Sequence, residues 1–274
     1  MRAESGNWLK AIISVCSPVL MSVIILASIH YGLGREISTK ATSHHTGNTE
    51  TDIVKVIPDF SMINDLMRKK LLFFGFMRPI VEAENEYVLR KRERLLELDK
   101  MHHNGIPLSL DELAFIEHLA VEYRVKVDGD YNVTIQVLKR RVDMVPIPLA
   151  LIQAAKESGW GTSRFARLGN NMFGQWCFSD NCGIIPFLRG PEDNYEVATF
   201  ESVNESVRSY IHNLNTGEAY SFLRSLRYRQ RETGMRPDSY TLINGLIMYS
   251  ERRDDYIEEI RTMLRINMPL ISSS

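Results

Sequence analysis

A chain of 274 residues holds one generous domain, or a compact domain with an attached arm and anchor. Its 44% hydrophobic and 24% charged residues are those of a globular protein rather than a disordered or fibrous one. A formal net charge of −1 supplies no global field for gathering nucleic acid or acidic lipid, so no nucleic-acid partner is expected.

The first predicted element is A-I-I-S-V-C-S-P-V-L-M-S-V-I-I-L-A-S-I, residues 11–29. It carries no charge for about 19 residues, the length that spans a bilayer as a helix. Arg2, Lys10 and the terminal amine precede it, which favours an N-terminus kept in the cytoplasm. The run is long for a cleaved signal peptide, and A-S-I-H-Y-G is a poor cleavage site. A retained signal anchor over residues 1–33 is therefore the preferred expectation, with cleavage as the alternative. Val15 stands where a lipoprotein would carry a small residue, so Cys16 reads as an apolar residue of the anchor. On either account the remainder of the chain is exported.

Residues 34–57 follow as an expected flexible linker, rich at first in Ser, Thr, His, Gly and Asn. His44 and His45 sit alone in that polar tract and do not make a metal site. Residues 58–140 read as a helical arm whose partner the sequence does not name. Its long charged helix covers 81–104, with Tyr87, Val88, Leu95 and Leu98 at helical spacing and Gly105 and Pro107 stopping it. The next helix opens at Ser109, with Glu112 in the capping-box position.

The region 141–268 is where chemistry is expected. A helix with Pro148 in its first turn runs L-A-L-I-Q-A-A-K-E-S and halts at Gly159, and a short one covers 163–168, ending at Gly169. Glycines, prolines and aromatics from Met172 to Phe200 then predict a loop with short strands. Helices resume at Ser202, with Glu205 completing a second capping box and Val203, Val207, Tyr210, Ile211 and Leu214 as the apolar stripe. A last helix is expected over 254–266. The expected class is mostly α with one small β insertion. Cys177 and Cys182 enclose F-S-D-N, and outside the cytoplasm they are expected to form a disulfide. With no C-x-x-C pair and no neighbouring histidine, no metal or other cofactor is expected. Arg224, Arg227, Arg229 and Arg231 make a basic run that reads as a solvated helix face.

Within A-K-E-S-G-W-G, Glu157 occupies the last helical turn, where the macrodipole disfavours a carboxylate. Trp160 adds apolar surface, and both effects raise the pKa toward that of a general acid. Small neighbours leave room for a bulky substrate. On these residues alone, an exposed glutamate at a helix end remains the plainer reading.

The wider pattern alters that balance. Glu157-Ser158-Gly159-Trp160-Gly161 followed by Asn171-Met172-Phe173-Gly174 resembles the glucosaminidase domains of glycoside hydrolase family 73, which have a lysozyme-like fold. R-V-D-x-V-P from Arg141, W-C-F, F-x-S-V-x-E-S-V from Phe200 and N-x-N-T-x-x-A-Y from Asn213 extend the resemblance to Bax-type bacterial proteins, over roughly residues 70 to 267. The resemblance implies a lysozyme-like α+β domain; with the N-terminal segment, the expectation is a periplasmic enzyme, single-pass in the inner membrane or released after cleavage. The implied reaction cleaves β-1,4 bonds of peptidoglycan between N-acetylglucosamine and N-acetylmuramic acid, with Glu157 as general acid. Trp160, Phe173 and Trp176 are candidate sugar platforms, with core packing the plainer reading for Phe173. Asn171 is expected to bind either substrate or loop backbone. Tyr249 is expected in the cleft, and Tyr256 either there or packed in the last helix. A glycosidase commonly needs a second carboxylate. Asp180, Glu192, Asp193 and Glu196 are the candidates, and Glu196 is preferred because Y-E-V-A-T-F alternates like a strand. A lytic transglycosylase and an inactive peptidoglycan-binding scaffold remain the alternatives.

Overall fold

The computed structural model describes residues 53–127, 129–187, 189–190 and 194–274. The expected anchor over 11–29, Cys16, the histidine pair, Glu192 and Asp193 lie outside them. Among the described residues no helix is long and apolar enough to cross a membrane. The end of the segment expected as linker is pinned rather than free. The Val54 N–H donates to Asn204 Oδ1 at 2.9 Å, and the Val54 carbonyl accepts from Val203 N at 2.8 Å.

One long helix organises the rest. Helix α1 (Leu66–His103) starts where the Asp65 side chain accepts the Arg68 N–H at 2.7 Å and stops where Gly105 turns left-handed, with φ 72°. It begins well upstream of the expected 81, because Phe73, Phe74 and Met77 continue its buried stripe. Helix α2 (Leu110–Glu122) carries the full Ser109/Glu112 capping box read from the sequence. Helices α3 (Tyr131–Arg141), α4 (Ile147–Glu157) and α5 (Arg164–Gly169) follow. At the end of α5 it is Asn170, with φ 51°, that turns left-handed, not Gly169.

The β insertion is a three-stranded antiparallel sheet ordered β1 (Trp176–Cys177), β3 (Glu196–Ala198), β2 (Gly183–Ile184). In its register Cys177 faces Glu196, and Ile184 and Trp176 both face Val197. Cys177 and Cys182 form the expected disulfide. Helices α6 (Val203–Thr216), α7 (Ser221–Glu232), α8 (Ser239–Leu242) and α9 (Asp254–Ser273) complete the molecule. Helix α9 runs past the expected 266. Lys70 holds Asn267 at 2.9 Å and Arg78 reaches the Ile271 carbonyl, so α1 supports those extra turns.

Helix α1 packs against α3, α4, α6 and α9. Residues 58–140, expected as an arm, thus share one hydrophobic core with 141–268, from Phe60 to Ile271. Polar pairs fix the register of that packing. Buried Asn85 donates to the Val145 carbonyl at 2.8 Å and accepts from the Val145 N–H at 3.0 Å. Asp143, 1% exposed, is gripped by both ends of the Arg231 fork at 2.7 and 3.0 Å, with Arg92 at 3.6 Å and Arg227 at 3.9 Å. Of the basic run, Arg229 alone is fully exposed and the rest is not the expected solvated face. Arg224 and Arg227 are buried, and their guanidiniums cap the carbonyl ends of α6 and α3 respectively. Burial pushes the Arg227 pKa down to about 10, against the pull of Asp143.

The E-S-G-W-G stretch explains itself as a helix terminus. Trp160 N bonds the Ala155 carbonyl at 2.8 Å and Gly159 N bonds that of Lys156 at 3.4 Å, the paired bonds of a Schellman end with Gly159 left-handed. Ser158 Oγ then accepts the Gly161 N–H at 2.8 Å. Gly161 has φ 74°, and a Cβ there would lie 2.6 Å from the Phe60 ring. Left-handed strain and overpacking each cost on the order of 1–2 kcal/mol. Gly161→Ala is expected to destabilise the fold by about 2–4 kcal/mol, measured as a lower denaturant midpoint with an unchanged m-value.

Candidate active site

Because α9 packs on α4, the end of α4 is roofed by the start of α9. The Tyr256 hydroxyl donates to Glu157 Oε1 at 2.9 Å. It accepts in turn from Gln153 Nε2 at 3.0 Å, and Gln153 Oε1 accepts from the Tyr210 hydroxyl at 2.7 Å. Gln153 is wholly buried, so its amide needs both partners. The direction of every bond in this relay is set, and it ends on one oxygen of Glu157. The other oxygen, Oε2, lies 3.8 Å from where a Cβ of residue 174 would stand, so Gly174 leaves it open.

Burial raises the Glu157 pKa above its ordinary value, and the Tyr256 hydrogen bond opposes part of that rise. A protonated Glu157 therefore carries its proton on Oε2, the oxygen that Tyr256 does not hold. Tyr256→Phe removes a donor that favours the carboxylate. The Glu157 titration midpoint is expected to move further up, read from the pH dependence of its carboxyl carbon resonance.

In front of Glu157 lies an open groove of about 940 Å³. Phe173, Gly174 and Trp176 line it on the sheet side, Ser209, His212 and Asn213 from α6, and Tyr249 to Arg252 from the loop before α9. Trp176 is 55% exposed and stacks on Tyr195, with ring centroids 4.5 Å apart and planes 15° from parallel. Phe178, 66% exposed, extends this aromatic rim. Flat, water-facing aromatic surfaces of this kind suit the apolar faces of sugar rings.

Several residues expected in the site lie elsewhere. Trp160 does not line the groove. Its ring packs edge-on against Phe73 and Phe74 at 5.6 and 5.4 Å, because the left-handed terminus of α4 turns it toward α1. Asn171 is 1% exposed and fully used by backbone. It donates to the Gln175 and Ala198 carbonyls and accepts from Phe173 N and Gln175 N. Phe173 is a core residue stacked on Tyr210 at 3.9 Å, touching the groove at its edge.

Glu196 is 7% exposed and outside the groove. Its oxygens accept from Gly183 N at 2.7 Å and Asn181 N at 3.3 Å, which staples the disulfide loop to β3. The carboxylate lies near both cysteine sulfurs, but these are bonded to each other and are not free thiolates. Asp180 is exposed on that loop, away from the groove lining. Tyr249 lines the groove, stacks on Tyr256 at 5.4 Å and donates to the Phe173 carbonyl at 3.2 Å. Tyr256 sits behind it, on Glu157.

Gln153, Tyr195 and Glu251 were not anticipated. Gln153 had one sequence signal, a lone amide four residues before Glu157 on an otherwise apolar helix. Glu251 had a weak one, two residues after Tyr249 in the segment expected at the cleft, and Tyr195 had none.

Residues 133–267 match the Glucosaminidase family, described as mannosyl-glycoprotein endo-beta-N-acetylglucosaminidase. Protein Bax of Escherichia coli (strain K12) is 31% identical over 218 residues, which is 79% of this chain and 76% of Bax. No solved structure gives a significant match. The extent of that identity, together with a domain match that contains Glu157 and all of the groove lining but Arg124, shows that the chain belongs to the Bax-type glucosaminidase-domain proteins, a glycosidase family.

Proposed function

We propose that the chain hydrolyses the β-1,4 bond between N-acetylglucosamine and N-acetylmuramic acid in peptidoglycan, on the reducing side of the glucosamine, with Glu157 as general acid. The observation that carries this reading is the Glu157 carboxyl at the back of an open, aromatic-rimmed groove, with its pKa raised by burial and one oxygen committed to Tyr256. A carboxyl so held stays protonated nearer neutral pH, as donation to a leaving sugar oxygen requires. The proton leaves from Oε2, beside Gly174, while Tyr256 stabilises the charge left on the other oxygen. Trp176 on its Tyr195 backing would seat a sugar ring, and Tyr249 lines the same groove.

The helical order and small β insertion suit a lysozyme-like domain. An anchor at residues 11–29 would hold it on the periplasmic face of the inner membrane. The test is to incubate the full-length chain with purified peptidoglycan, reduce the products with borohydride and weigh them. Reduced N-acetylglucosamine ends, absent with Glu157→Gln, are the expected result. Ends in 1,6-anhydromuramic acid would make it a transglycosylase, and no release from folded protein would leave a binding scaffold.

A further inference from the structure

Among the described residues, two carboxylates line the groove, Glu157 and Glu251. The sequence-based candidate Glu196 is occupied at the disulfide loop, and Asp180 lies outside the groove. Glu251 differs from both. Its side chain is exposed and makes no hydrogen bond or ion pair with any described residue. A free carboxylate in a substrate groove is available to water or ligand.

The backbone on either side of it, by contrast, is held. Tyr249 N bonds the Leu246 carbonyl at 2.8 Å and Arg253 N the Ser250 carbonyl at 3.1 Å. Ser250 Oγ accepts from Arg252 N at 3.3 Å. Arg252 turns away from its neighbour and pairs with Glu259 at 2.7 Å, and the same Glu259 carboxylate pairs with Lys156. The residue before Glu157 and the residue after Glu251 thus share one acceptor on α9. That ties the two groove carboxylates to a common support, and the stack of Tyr249 on Tyr256 adds a second tie.

We propose that Glu251 is the second catalytic carboxylate of this groove, the base that activates water against the anomeric carbon; the assignment rests on the glycosidase reading above. The chemistry divides by environment, with a buried acid at the back and a carboxylate in water at the rim. As the water oxygen bonds to the anomeric carbon, the bond from that carbon to the leaving oxygen breaks. One water proton passes to Glu251 and the Glu157 proton passes to the leaving oxygen. Exchange with solvent then returns both carboxyls to their starting states. The product is the inverted, α anomer.

The experiment compares the full-length wild type with Glu251→Gln and Glu251→Ala on purified peptidoglycan, each with its thermal midpoint measured. Glu251→Gln is expected to lose about 100-fold or more in kcat with KM little changed. Added azide, which attacks carbon without a base, is expected to restore turnover to Glu251→Ala and give a glycosyl azide seen by mass. A Glu251→Gln rate within about threefold of wild type overturns the assignment, since base catalysis supplies at least about a hundredfold. So does a folded, slow Glu251→Ala that azide fails to rescue. An inert wild type in the same assay overturns the glycosidase reading itself, and the assignment with it.

Discussion

Glu157→Gln is expected to lower turnover about 10³-fold while leaving substrate affinity nearly intact. The glutamine keeps the shape of the acid and still accepts the Tyr256 hydroxyl through its carbonyl oxygen, so the relay to Tyr210 survives. What disappears is the transferable proton. The wild-type rate is expected to fall as pH rises through the raised Glu157 pKa, because the proposed general acid is needed protonated. Stability follows the same sign. A carboxyl whose folded pKa is raised contributes fully below its ordinary value, about 4.3, and loses that contribution as pH rises through the folded value. Glu157→Gln is therefore expected to be the more stable protein above that window and close to wild type below it. Thermal melts at pH 4 and pH 8 read the difference, and a midpoint difference equal at both pH values would refute the burial argument.

Asp143→Ala is expected to cost about 3–5 kcal/mol, on the order of 10 °C in melting temperature, without touching the groove. The loss is not one of attraction alone. Removing the carboxylate leaves Arg227, 1% exposed, and Arg92, 6% exposed, as buried cations facing Arg231. Burial itself pushes the Asp143 pKa up, but Arg227, Arg231 and Arg92 together outweigh it and hold the carboxyl below its ordinary value. The sign is opposite to that of Glu157. The stabilisation is present above the ordinary pKa, about 3.9, and fades as pH falls through the lower folded value. The gap between wild type and Asp143→Ala should accordingly narrow in acid.

Local chemistry was legible wherever it did not depend on distant partners. Ser109 with Glu112, the left-handed Gly159 and the short loop of Cys177 and Cys182 are each settled within about six residues of chain, and each was readable. Ser202 shows the limit of that reasoning. It caps α6 as expected, but Glu205 takes the Glu201 N–H instead of that of Ser202. Charge was the poorest guide. Arg224 and Arg227 read as solvated because arginine on a helix usually is, and only the converging ends of α3 and α6 make their burial tolerable. The strand at Glu196 was readable from Y-E-V-A-T-F, but its alternation was not: Glu196 and Val197 are both buried, and the carboxylate meets the disulfide loop. Glu157 was legible through its setting and its motif together. Its partners Gln153, Tyr210 and Tyr256 come from three helices, and no spacing rule joins them.

The reach of α1 has a consequence for how the molecule assembles. Glu84 finds Arg208, Arg92 finds Asp143, and Lys70 finds Asn267, at separations that grow to 197 residues. An early-made helix thus carries buried charges and amides whose partners emerge much later, so native contacts close long loops and folding is slow for a helical protein. While α1 waits, its apolar stripe is exposed to any chaperone or neighbouring chain within reach. The groove cannot exist until α9 arrives, since Tyr256 and the Glu259 tether come with it. The hydrogen bond on Glu157 and the shared anchor of Lys156 and Arg252 are therefore among the last contacts of the fold to form.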